Sequence, residues 1–93
     1  MKLYIITIED IYDYDSEHHD PIVRTNLREA RKVLTQLYRS GKEIYQDSYD
    51  TFEKSRNCFS MYTMGTYGES HYSGVINVID VPNIKRKVVK SEK

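Results

Sequence analysis

One segment of this chain repeats its apolar residues with the period of a helix, and that limits the architectures open to it. Leu27, Ala30, Val33, Leu34, Leu37 and Tyr38 form a single stripe at three- and four-residue spacing. Asn26 stands where a side chain can accept hydrogen bonds from the free amides of the first turn. Glu29, three residues on, completes a capping-box pattern. Gly41, shortly after Arg39, predicts the stop. A chain of 93 residues has room for one domain with one core. The strands read along the rest of the chain supply the sheet on which this helix packs.

Residues 2–8, KLYIITI, are β-branched and aromatic with no breaker, which predicts a strand. Leu3 and Ile5 fall on one face and Tyr4, Ile6 and Ile8 on the other, so both faces are apolar and the strand belongs in the middle of a sheet. Ile22 and Val23 suit a short returning strand after Pro21. Residues 57–63 and 72–81 read as two more strands, joined by MGTYGES, where Gly65 and Gly68 give access to positive φ. Gly74 predicts a bulge or a close backbone approach, and Pro82 ends the last strand. Residues 42–54 stay open: Ile44, Tyr45, Tyr49 and Phe52 suit a short helix, whereas Asp47, Ser48 and Asp50 suit turns. The expected fold is α+β, a small mostly antiparallel sheet of three to four strands with one main amphipathic helix on one face. Residues 1–83 make the domain and residues 84–93 a basic tail.

Several strands are apolar on both faces, with Val75 and Ile79 opposing Ile76 and Val78, yet one helix covers only one face. The other face must meet residues 42–54 or a second chain. The reading favours a homodimer, because a large exposed apolar patch is unfavourable in a monomer.

Charge adds direction. Lys plus Arg number 14, as do Asp plus Glu, so there is no global pull toward nucleic acid or membrane. The signs are nevertheless segregated: residues 9–20 are wholly acidic or neutral, while Lys85, Arg86 and Lys87 lead a basic tail. The lone Cys58 excludes an intramolecular disulfide framework and fits a reducing compartment. The apolar run broken by Glu9 is too short for a membrane span. The expected setting is cytoplasmic.

Residues 9–21, EDIYDYDSEHHDP, carry six carboxylates and two adjacent histidines. Extended backbone would put Asp13, Asp15, Glu17 and His19 on one side, a mixed oxygen and nitrogen ligand set. A closed site draws ligands from rigid, separated elements, and His18 and His19 point apart on a strand. The calcium-loop pattern lacks its glycine and its final glutamate. The expectation is no metal and no cofactor, with a hydrated loop that keeps a sheet edge soluble.

Catalytic pairs are equally thin. Cys58 and His71 would lie on neighbouring strands, but no orienting group or oxyanion hole is legible. His71 with Tyr67, Tyr72 and Arg56 has the residue types of a small ribonuclease centre.

Two binding readings remain. Arg28, Arg31, Lys32 and Arg39 share the outer helix face, where with Lys85, Arg86 and Lys87 they could lie along phosphates; this is the nucleic-acid alternative. The loop MGTYGESHY presents Tyr67, His71 and Tyr72, residue types common in protein contact surfaces. The span NCFSMYTMGTYGESHYSGVINV resembles the C-terminal hairpin of small uncharacterised β-α-β-β proteins carried by bacteriophages and mobile elements. That resemblance implies a small accessory protein and transfers no site residues. The leading expectation is a non-enzymatic protein that binds a protein partner through the Tyr-rich hairpin.

Overall fold

The computed structural model describes residues 1–13 and 15–82; Tyr14 and the basic tail with Lys85, Arg86 and Lys87 lie outside the described residues. The first strand, β1 (Lys2–Tyr12), is free of Gly and Pro and runs on past Ile8 through Ile11 and Tyr12. It turns at Asp13, whose φ of 50° is a left-handed conformation that Asp adopts more readily than most residues. The chain returns along β1 as β2 (Asp15–Glu17) and β3 (Ile22–Arg24), both antiparallel to it. After helix α1 (Leu27–Ile44) come β4 (Thr51–Lys54), β5 (Cys58–Tyr62) and β6 (His71–Asp80).

The sheet order is β2-β1-β6-β5-β4, with β3 also on β1, and every pairing is antiparallel. The first and last strands are thus neighbours at the centre, paired from Lys2 with Asp80 through Ile11 with His71. Six strands form where three to four are expected. The additions are β2 and β4, three and four residues long, too short for an alternating pattern to show.

The helix begins as expected. Asn26 Oδ1 accepts from the Arg28 and Glu29 amides at 2.8 and 3.3 Å. It does not stop at Gly41. It continues to Ile44, and Gly41 is buried in its last turns. A Cβ there would stand 2.6 Å from Tyr72 Cε2, so Gly41 is the point where the helix backbone comes down on an aromatic ring. Gly74 plays the same part on the sheet, beneath Phe59, with 2.6 Å to Phe59 Cε2. Close approach, one of its two predicted roles, is the one it has.

Pleating sends Tyr4, Ile6, Ile8 and Asp10 of β1 toward the helix with Tyr72, Ile76, Phe59 and Met61. Ile6, Ala30, Leu34 and Met61 are wholly buried there. Rings run through this layer from Tyr38 to Phe59, Tyr72, Tyr45 and Tyr49, with centroid spacings of 5.2–5.8 Å. Residues 42–54 do not cover the other face of the sheet. Tyr45, Tyr49 and Phe52 join the core on the helix side, while Ile44 is exposed. The chain needs them there because α1 alone is too narrow to span from β1 to β4. No helix among the described residues is long and apolar enough to cross a membrane.

Candidate functional site

Three clusters of polar chemistry stand out, and the first is a product of strand register. Glu17 of β2 pairs with Asp10, and Ile22 of β3 pairs with Ile6. Between those pairs β1 has Thr7, Ile8 and Glu9, whereas the returning chain has His18, His19, Asp20 and Pro21. One extra residue breaks the edge strand, as in a β-bulge, and Pro21 has no N–H to lend to the ladder.

The break turns His19 back over the helix-side face. His19 Nε2 lies 3.1 Å from Asp10 Oδ2 and 3.9 Å from Glu17 Oε2. Tyr72 meets the imidazole edge-on, and the Tyr45 hydroxyl donates a long 3.5 Å bond to the same Asp10 oxygen. Asp10 is buried, with a side chain 10 % exposed. Its charge is felt by the rings around it. Tyr45 is pushed up to about 12 by burial and then by Asp10, and burial followed by Asp10 also raises Tyr49 and Tyr72.

The set read from sequence as Asp13, Asp15, Glu17 and His19 is therefore not the set that converges. Asp13 sits in the turn with its amide on Ser70 Oγ, and His18 turns outward to Asp20 at 2.8 Å. Asp10 takes the central place. Its period-two match with Tyr4, Ile6 and Ile8, a carboxylate on the core-facing side of the best strand, was the legible signal.

The second cluster lies on the open side of the sheet. His71 Nε2 is 2.6 Å from Glu9 Oε1, and Nδ1 is 2.8 Å from the Tyr67 carbonyl oxygen. Tyr67 stacks on the imidazole at 4.2 Å, and Tyr62 packs edge-on against Tyr67. His71 is consequently only 3 % exposed, and Tyr72, on the opposite side of the strand, 8 %. Of the three hairpin residues expected to form a contact surface, Tyr67 alone presents one.

Cys58 is exposed, with its sulfur 2.9 Å from Ser55 Oγ. Its register partner is Val75, four residues along β6 from His71, a separation of about 13 Å at strand rise. Cys58 and His71 do not form a pair. Arg56 lies in the turn between β4 and β5, and Tyr72 faces the helix, so the ribonuclease grouping is not assembled either.

The third cluster is the outer helix face. Arg28, Lys32 and Arg39 are exposed, and Arg31 is half-buried, donating from Nε to Asn57 Oδ1 at 3.1 Å. Among the described residues no lysine or arginine comes within 4 Å of a carboxylate; the four ion pairs found all use histidine. Among the described residues these cations meet no carboxylate.

Comparison with family models, curated proteins and solved structures finds no match. The functional reading rests on the residues of this chain.

Proposed function

We propose that this chain is a small binding protein that acts through contact with another protein, and that the open face of its sheet is the contact surface. One observation carries this reading. Val23, Val75 and Ile79 are 47 %, 40 % and 46 % exposed on that face, beside half-buried Leu3 and Ile5, and nothing among the described residues covers them. The register makes them one patch, because Ile5 pairs with Val23 on one side and Asn77 on the other, and Leu3 pairs with Ile79. Such contiguous apolar surface is unfavourable in water and marks interaction sites. Tyr67, held over His71, stands toward the other end of the same face.

A second copy of the chain is the first partner to consider. The face carries no charge from Leu3 to Thr7 or from Ser73 to Ile79, so two copies meet without like charges opposed. Light scattering over a range of concentrations, with affinity capture from the host, tests the reading. Val75→Asp and Ile79→Asp sit at exposed positions and should abolish association with either partner. A wild type that has the mass of one chain at high micromolar concentration, and captures the same proteins as both variants, overturns it.

A second reading is favoured by the helix face, whose cations meet no carboxylate among the described residues. Arg28, Arg31, Lys32 and Arg39 would contact phosphates of a nucleic acid without reading bases. Titration of two unrelated duplexes at two salt concentrations tests it. Equal affinities that fall steeply with salt support it, and binding unchanged by salt or by Arg28→Ala with Lys32→Ala removes it.

A further inference from the structure

The geometry points to a divalent-cation site formed by Asp10, Glu17 and His19 where the edge strand breaks beside β1. The ligand atoms of these three residues all lie within 4.8 Å of one another. Two atoms each bound at about 2.1 Å to one ion stand at most about 4.2 Å apart. The 3.1 Å spacing of His19 Nε2 from Asp10 and the 3.9 Å spacing from Glu17 already satisfy that limit. The widest gap closes by a movement of Glu17, whose side chain is 76 % exposed.

Two further observations separate this cluster from an ordinary acidic edge. Asp10 is a carboxylate nine-tenths buried on a central strand, and among the described residues no lysine or arginine lies within 4 Å of it. Among the described residues its one ion-pair partner is His19, which is charged only when protonated, and a buried carboxylate without a counter-charge is unfavourable. The three side chains also open into one concavity of about 390 Å³, shared with Ile8, Ser16 and His18. It leaves room for the waters that would complete a coordination shell.

The donor set fixes the class of ion. One neutral imidazole and two carboxylates suit zinc, manganese or iron(II), and the two negative charges match the ion's two positive ones. The ligands come from separate structural settings. Asp10 is fixed by β6 and β2 on either side, Glu17 is its direct cross-strand partner, and the extra residue delivers His19 from above. The Tyr45 hydroxyl reaches the same Asp10 oxygen at 3.5 Å, the kind of outer contact that orients a ligand.

The test uses the whole chain, stripped with chelator, and zinc or manganese chloride alone, followed by calorimetry and thermal melting. One ion should bind per chain with a raised melting midpoint. His19→Ala and Glu17→Gln should each weaken uptake by at least about tenfold, while His18→Ala, one position away, leaves it unchanged. Glu17 is exposed, so its variant keeps the fold even if a change at Asp10 does not. Absence of saturable one-to-one uptake, or equal losses in His18→Ala and His19→Ala, overturns the site and leaves a histidine–carboxylate ion pair only.

Discussion

His71 and Glu9 are diagonal neighbours on β6 and β1, and their 2.6 Å contact ties the two central strands on the face away from the helix. The two partners differ sharply in environment, since the His71 side chain is 4 % exposed and that of Glu9 62 %. Removing each should therefore cost different amounts. Glu9→Gln keeps an acceptor and loses a solvent-screened charge, so it should cost no more than about 1 kcal/mol. His71→Ala strips the Tyr67 carbonyl of its donor and the Tyr67 ring of its stacking partner, and should cost about 2–3 kcal/mol. Urea denaturation of both variants checks the order.

Gly41→Ala sets two effects against each other. Alanine is the better helix former by about 1 kcal/mol. Its Cβ would nevertheless stand 2.6 Å from a Tyr72 ring that is packed between Phe59 and Tyr45. That ring has nowhere to go. Overpacking of this kind costs about 1–3 kcal/mol, so the variant should be less stable than wild type despite the gain in propensity. A stabilised variant would show that helix and sheet separate more easily than the packing implies.

Leu34 and Arg31 occupy the same helix on different faces. Leu34 is wholly buried, and Leu34→Ala should cost about 2–5 kcal/mol. Arg31→Ala loses one exposed hydrogen bond to Asn57 and should cost about 0.5 kcal/mol or less. Chemical denaturation that ranks them in reverse would contradict the helix phase.

The helix phase was legible because Leu27 to Tyr38 repeat over several turns, enough for periodicity to outweigh local noise. Its end was not. Gly41 carries the same local signal whether it terminates a helix or lets one touch a ring, and only Tyr72, far along the chain, decides between them. The central strand was legible for a different reason, an unbroken β-branched and aromatic run in KLYIITI. The edge strands were not, since DSE and TFEK offer only one or two alternations each. The Asp10 cluster was half visible: the ligand types could be read from sequence, but the register offset that turns His19 onto Asp10 depends on how two separate pieces pair with β1.

Alkaline solution should destabilise the chain. Tyr45 holds its proton to about 12 when folded, against 10.0 for an ordinary tyrosine, because burial and the Asp10 charge disfavour the phenolate. Tyr49 and Tyr72 shift the same way. The protonated form is the one the fold favours, so this contribution is fully present below pH 10 and is lost as pH rises through about 12. Melting curves in metal-free buffer should fall steeply across that window, and Tyr45→Phe should fall less. A flat profile would mean that the rings titrate as freely as in the unfolded chain.

The ring layer between Gly41 and Gly74 has a spectroscopic consequence. The chain has nine tyrosines and no tryptophan, and Tyr45 lies 5.2 Å from Tyr49 and 5.4 Å from Tyr72. Rings held this close in a fixed chiral arrangement couple their electronic transitions, and they do so only while α1 is seated on the sheet. Near-ultraviolet circular dichroism, the signal lost when fixed packing loosens, should thus report helix docking with no label added. Far-ultraviolet ellipticity reports the helix itself, so the two signals together distinguish an undocked helix from a melted one.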